Sequence, residues 1–256
     1  MRIGVASALA GAVALIAAAL PAAARDNRDY CADDATNVVL YIDVTTPYDE
    51  VDKSALVDGV GRIFATLMGG ERFSIRTIED AFPNSKRILE RCVPVCTGGF
   101  FGDMFSDCTE GARIEDSRTL QRDIATSIAE RLAAAVELPH SEIVRTLAMS
   151  GPEEYRKGRA NAFFVFSDMI ENSEFLPGSD FLTVPEATLV ERLATDGLIP
   201  DLIEADIRIF GVGRGVTVEG RPALSQEKLQ KVTAFWTLFF KATGATVTMR
   251  PNLSTD

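Results

Sequence analysis

The sequence predicts an α/β domain: a doubly wound, mostly parallel β-sheet with one antiparallel edge strand and helices on both faces. Two observations predict this fold. Short, nearly continuous apolar runs, typical of central parallel strands, lie at Asn37–Asp43, Asn161–Asp168 and Ile207–Val212. Amphipathic stretches of helical period separate these runs, and such alternation indicates a parallel sheet covered on both faces.

The first half of the chain supplies one helix and a hairpin. Asp52–Met68 has apolar residues at helical spacing and ends at Gly69-Gly70. Arg72–Ile78 alternates polar and apolar residues, which is typical of a strand near a sheet edge. Lys86–Val93 is its expected antiparallel partner, with Ala81–Ser85 as the turn.

The second half supplies mainly helices. Ser117–Val136 is the clearest helix, with apolar residues four apart, and Pro139 stops it. A shorter helix is expected from Ser141 through Met149. The remaining elements are expected at Pro185–Ala194 and Ser225–Ala242, both helices, and at Ala245–Met249, the last strand.

The amino terminus has the pattern of a cleavable secretory signal over residues 1–24. Arg2 precedes an uncharged apolar run, which ends at Pro21 and the small residues of a signal peptidase site. The alternative is an uncleaved anchor, because about 18 apolar residues nearly span a bilayer; the proline and the alanine-rich run favour cleavage. Residues 25–256 are then expected to form one periplasmic or extracellular domain, with no membrane insertion after signal cleavage.

The net charge and the cysteine content indicate which classes of partner are disfavoured and in which compartment the protein is expected to fold. The net charge of −11 disfavours nucleic acid and anionic membranes. Four cysteines, Cys31, Cys92, Cys96 and Cys108, predict two disulfides in an oxidising compartment, with zinc as the alternative. Cys31 precedes the first strand and Cys92 ends the antiparallel one, so both are expected at one end of the sheet. This placement favours Cys31–Cys92 and Cys96–Cys108.

The second of these disulfides closes residues 97–107, a glycine-rich loop with three phenylalanines. The loop is either an exposed patch that binds a partner or a segment that folds back onto the domain.

Two strand ends carry the candidate site residues, because ligands of doubly wound sheets bind beyond the carboxyl ends of the strands. The first strand ends in Asp43-Val44-Thr45-Thr46-Pro47, and the fourth in Ser167-Asp168-Met169. Aspartates at such positions also commonly cap helices or accept hydrogen bonds within turns. Asp43 and Asp168 therefore have two open roles, in a ligand site or in a local turn.

This pattern resembles the von Willebrand factor A (vWA) family. Those domains place Asp-x-Ser-x-Ser after the first strand and another aspartate after the fourth, and a helix-loop Thr or Ser completes a metal-ion-dependent adhesion site. Asp43 and Thr45 match the first two positions and Asp168 matches the later aspartate, whereas Pro47 stands where a second hydroxyl is expected. The resemblance implies a degenerate site of this kind for Mg²⁺ or Mn²⁺, whose ligands are oxygen atoms.

Ser141 is the candidate for the helix-loop hydroxyl. After an antiparallel strand, the helix Ser117–Val136 must return to the carboxyl edge, so the turn Glu137–Ser141 is expected beside Asp43 and Asp168. The alternative role of Ser141 is a helix N-cap.

The expected function is an exported vWA-like module that binds a protein partner, with or without a divalent cation. The alternatives are a metal-assisted hydrolase that uses Asp43 and Asp168, and a structural component of an envelope assembly. No catalytic constellation stands out: His140, the single histidine, lies in a turn, and no Gly-x-Ser-x-Gly elbow is present. Gly211-x-Gly213-x-Gly215 also lacks the dinucleotide-binding fingerprint.

Overall fold

The computed structural model describes residues 30–96, 108–215 and 222–255. The expected signal segment 1–24 and the phenylalanine-containing loop 97–107 lie outside these ranges. Within them, no helix is long and apolar enough to cross a membrane.

Six strands and six α-helices form the described part of the chain. The strands are β1 (Asn37–Asp43), β2 (Arg72–Ile78), β3 (Arg87–Cys92), β4 (Asn161–Phe166), β5 (Asp206–Phe210) and β6 (Thr246–Arg250). The helices are α1 (Glu50–Ala65), α2 (Glu110–Ala134), α3 (Ile143–Glu154), α4 (Gly178–Thr183), α5 (Glu186–Thr195) and α6 (Gln226–Ala242).

The strands form one sheet in the order β3-β2-β1-β4-β5-β6. Every pairing is parallel except that of β2 with β3, so β3 is an antiparallel edge strand. This confirms the predicted fold class. Chain order reverses between β1 and β4, and a crevice at the carboxyl ends of such strands is where doubly wound folds bind ligands.

Two apolar cores lie on opposite faces of the sheet, because successive side chains of a strand point to opposite sides. Val38, Leu40 and Ile42 of β1 pack with α1 and α2, whereas Val39 and Tyr41 pack with the core of α3, α4, α5 and α6. Helix α6 contributes most of the aromatic volume of the second core, through the fully buried residues Phe235, Trp236, Phe239 and Phe240.

Helix boundaries differ from the sequence prediction where exposed polar turns hide the periodicity. Helix α2 begins at Glu110 rather than Ser117, with the Thr109 hydroxyl accepting a hydrogen bond from the Ala112 N–H. Helix α3 begins at Ile143 and continues past Pro152 to Glu154. The short helix α4 was not predicted.

Two disulfides join Cys31 to Cys92 and Cys96 to Cys108, with Cα–Cα distances of 5.1 and 5.7 Å. This is the pairing that the sequence analysis favours. The first disulfide fastens the segment before β1 to the end of the edge strand β3.

Candidate functional site

The loops that follow β1, β4 and β5 meet at the carboxyl end of the sheet. Side-chain hydrogen bonds join the first loop to the other two, and backbone hydrogen bonds join the segments after β4 and β5. The Ser167 N–H donates to the Phe210 carbonyl at 3.1 Å, and the Gly213 N–H donates to the Asp168 carbonyl at 2.8 Å. We call this region the carboxyl-end cluster; its polar members are Asp43, Thr45, Tyr48, Asp52, Ser167, Asp168 and Arg214.

Asp43 accepts hydrogen bonds at both of its carboxylate oxygens. Its Oδ1 accepts from the Thr45 N–H at 3.0 Å and from the Thr45 hydroxyl at 2.6 Å. Its Oδ2 accepts from the Ser167 hydroxyl at 2.6 Å, across the pair of central strands. The structure thus joins Asp43 and Thr45 as predicted and adds Ser167. Only 1% of Asp43 is exposed, so its oxygens face the protein interior.

Asp168 lies beside Asp43 at the end of the neighbouring strand, in a turn that contains a residue with positive φ. Its Oδ1 accepts from the Ile170 N–H at 3.0 Å. Met169 between them has φ of 60°, in the left-handed region that side chains rarely adopt. The buried Trp236 indole N–H holds this turn by donating to the Met169 carbonyl at 2.8 Å. Both Asp43 and Asp168 therefore accept hydrogen bonds within local turns, which is one of the two roles expected for them.

The turn that contains Ser141 reaches the carboxyl edge as expected. The Leu138 N–H donates to the Thr45 carbonyl at 2.9 Å, and the Ser141 N–H donates to the Asn172 carbonyl at 3.0 Å. The alternative role of Ser141 is wrong, because the N-cap of α3 is Glu142, without a side-chain capping bond. The buried Ser141 hydroxyl has no hydrogen-bond partner among the described residues, so it is not hydrogen-bonded to Asp43 or Asp168.

Arg214 and Tyr48 belong to the carboxyl-end cluster although the sequence analysis did not select them. Arg214 Nη1 donates to Asp52 Oδ2 at 2.9 Å and to the Pro47 carbonyl at 3.3 Å. The Arg214 Cζ lies 4.1 Å from the centre of the Tyr48 ring, and the Tyr48 hydroxyl donates to the Asp43 carbonyl at 2.6 Å. The rule that selected the ends of β1 and β4 would have found Arg214 if applied to the end of β5.

The Arg214 guanidinium supplies positive charge to the carboxyl-end cluster. Burial acts to lower the pKa of Arg214, but Tyr48, Asp168, Asp52 and Asp43 outweigh it and raise that pKa above its ordinary value. Burial also raises the pKa of Tyr48, so its phenol stays protonated and remains a hydrogen-bond donor.

The donor set fits a divalent cation poorly. Both Asp43 oxygens already accept hydrogen bonds from Thr45 and Ser167, and a guanidinium supplies positive charge nearby. Asp49, which follows Pro47 by two residues, caps α1 by accepting from the Asp52 N–H at 2.8 Å. Across residues 30–96, 108–215 and 222–255, no three His, Cys, Asp or Glu side chains are grouped to hold a metal. We therefore derive no function through a bound metal.

Comparisons with known proteins give one finding about the fold. No family model matches the sequence, and no curated protein matches it. Among solved structures, the chain is similar to the human COPII-coat protein Sec24c, with 14% sequence identity and a TM-score of 0.39. The match covers 88% of this chain and 31% of Sec24c, so the chain spans about a third of that protein's length. The likeness concerns the fold alone.

Proposed function

We propose that this chain is an exported, vWA-like module that binds a protein partner through the carboxyl end of its sheet. The observation that carries the proposal is a set of large apolar side chains exposed at that end. Val51 is 77% exposed, Val136 is 55% exposed and Phe175 is 41% exposed. Apolar side chains exposed at one end of a domain can contribute to a surface that binds another protein.

These three side chains lie on segments near the carboxyl end of the sheet. Val51 is in the first turn of α1, directly after the Asp49 cap. Val136 lies two residues before Leu138, whose N–H donates to Thr45. Phe175 follows β4 and packs under the Arg145 guanidinium, 4.9 Å from the ring centre. A rigid scaffold that presents loops in this way is a common architecture of binding sites.

Two further features support the vWA-like and exported parts of the proposal. Asp43, Thr45 and Asp168 follow adjacent strands, β1 and β4, as the vWA pattern requires. Two disulfides in a chain of this size suit the periplasm or the extracellular space. Catalysis by Asp43 and Asp168 is not favoured, because they are only 1% and 3% exposed.

The proposal is tested by capture of partners from an envelope extract with immobilised protein, quantified by mass spectrometry. Val51→Glu and Phe175→Glu should each reduce the captured amount of a specific partner at least tenfold, since a charge at the centre of an apolar contact costs a few kcal/mol. Met68→Glu is the matched control, because Met68 is 89% exposed at the opposite end of the sheet. Each variant is first checked for an unchanged circular dichroism spectrum.

Equal loss in the Met68 control, or full capture by both carboxyl-end variants, would contradict the proposed binding face. Turnover of generic ester or phosphate substrates that Asp43→Asn abolishes would favour the hydrolase instead. Capture in the presence of EDTA as well as Mg²⁺ is expected.

A further inference from the structure

The carboxyl-end cluster removes carboxylates from solvent. Asp43 and Asp168 are almost inaccessible to solvent, and the carboxyl group of Asp52 lies close by, with 23% of its side chain exposed. Removing an ionised carboxylate from water is costly unless a cation or several hydrogen-bond donors compensate. The neutral donors of Thr45 and Ser167 serve Asp43 but bring no charge.

The turn after β5 places the cationic side chain of Arg214 in the carboxyl-end cluster. Gly211 and Gly213 have φ of 95° and 68°, and the Gly213 N–H donates to the Asp168 carbonyl. Such positive φ values favour glycine, and a Cβ at Gly213 would also lie 2.8 Å from Leu229 Cδ1. This backbone path returns Arg214 toward the loop after β1, where only 7% of its side chain remains exposed.

The residue that breaks the vWA pattern is also a partner of Arg214. Pro47 lacks the hydroxyl that the pattern expects, but its carbonyl accepts from Arg214 Nη1 at 3.3 Å. The same nitrogen bonds to Asp52, and the guanidinium stacks on Tyr48 in cation–π geometry. The residue that lacks the expected metal-binding hydroxyl, Pro47, is thus also a residue whose carbonyl binds the Arg214 guanidinium.

We propose that, among the described residues, Arg214 is the resident cation of the carboxyl-end cluster and takes the place of a divalent metal ion. The guanidinium joins the loops after β1 and β5 and offsets the buried carboxylates by a charge that cannot dissociate. The loops are consequently ordered without Mg²⁺ or Mn²⁺. This inference goes beyond the proposed function, because it concerns the free protein and requires no partner.

The test is thermal unfolding of the wild type and of Arg214→Met, each in EDTA and in millimolar Mg²⁺ or Mn²⁺. The wild-type Tm should be the same in all three solutions. Arg214→Met keeps much of the side-chain volume but not the charge, so its Tm should fall by several degrees. Because the variant lacks the guanidinium charge that opposes a cation, either ion at millimolar concentration should restore a small part of that loss, since a ligand that binds only the folded state stabilises it.

Two controls separate charge from general damage. Arg208→Met removes an arginine whose side chain is 53% exposed on β5 and should leave the Tm nearly unchanged. Arg214→Lys keeps the positive charge without the planar guanidinium and should lose less stability than Arg214→Met. If the methionine variant does not fold, the lysine variant is compared with the wild type instead.

Three results would overturn the proposal. A wild-type Tm that rises with Mg²⁺ or Mn²⁺ would show that a metal is the cation. An Arg214→Met variant as stable as the wild type would show that the carboxylates need no counter-charge from Arg214. A destabilised Arg214→Met variant that neither ion restores would show that the guanidinium does not occupy a metal's position.

Discussion

Glu171 is a fully buried acid at the amino end of α3. Its Oε2 accepts from the Val144 N–H at 2.8 Å, one of the N–H groups that a helix leaves without an intrahelical partner. Burial raises the pKa of Glu171 to about 8, with Glu142 adding to the rise and hydrogen bonds from Ser173, Val144 and Ile143 opposing it. The group is therefore protonated in the folded protein at pH values where it is ionised in the unfolded chain.

This difference predicts a pH-dependent stability. The folded state binds more protons than the unfolded state between the ordinary pKa of 4.5 and about 8. The contribution of Glu171 to stability is thus complete below 4.5 and is lost as the pH rises to about 8. Glu171→Gln should remove this loss, so urea unfolding should show the variant gaining stability relative to the wild type as the pH rises. Glu174→Gln, at an exposed neighbour, should leave the pH dependence intact.

Glu154 is a second buried acid, but it is paired with arginines. Its carboxylate accepts from Arg72 at 2.8 Å, from Arg87 at 2.8 Å and from Arg76 at 3.3 Å, and also from the Ser74 hydroxyl. Burial acts to raise the pKa of Glu154, but Arg72 and Arg87 outweigh it, and the pKa is lowered. One carboxylate at the end of α3 thereby fastens that helix to β2 and β3.

Glu154→Gln should destabilise the protein by about 3–5 kcal/mol, because it leaves buried guanidinium groups without their counter-charge. Glu153→Gln is the matched control. The Glu153 side chain is 57% exposed and pairs with Arg76, so this substitution should lower the stability by no more than about 1 kcal/mol. Urea unfolding measures both differences. Similar losses in the two variants would contradict the role assigned to Glu154.

At the scale of elements, the antiparallel edge strand β3 is tied to the rest of the sheet at its end. Cys31 and Cys92 are 61 residues apart, whereas Cys96 and Cys108 are 12 apart. A disulfide restricts the unfolded chain more when it closes a longer loop. The tie between β3 and the segment before β1 is therefore expected to be the more stabilising of the two.

Removing each disulfide by a pair of serine substitutions tests this difference. Loss of Cys31–Cys92 should cost about 4 kcal/mol and loss of Cys96–Cys108 about 3 kcal/mol, from loop length alone. Peptide mapping without reduction checks the pairing first. A Cys92–Cys96 bridge would contradict the antiparallel placement of β3.

Helices show what a linear pattern can reveal at this scale. The buried stripe of α2, at Leu120, Ile124, Ile128 and Leu132, was visible as a four-residue spacing. Its first turns were not, because Glu110–Glu115 faces solvent with no apolar period. The extension of α3 past Pro152 was also missed, although it carries Glu154 into its buried network.

For the whole molecule, the fold class follows from burial along the chain. A central strand buried on both faces must be a short apolar run, and β1, β4 and β5 are such runs in the sequence. The resemblance to vWA domains likewise rests on residues beside these runs. It predicted that Asp43, Thr45 and Asp168 lie at one edge of the sheet.

The sequence by itself determined which segments are strands, which strand is antiparallel, and which residues stand at the strand ends, because each of these depends on neighbours along the chain. Only the tertiary structure decided how charges are compensated. Arg214 lies 162 residues from Asp52, and Arg72 lies 82 residues from Glu154. In a chain with 37 acidic and 26 basic residues, no local rule selects such pairs. Burial makes the choice, because a charge that loses its water must be placed beside a partner that replaces it.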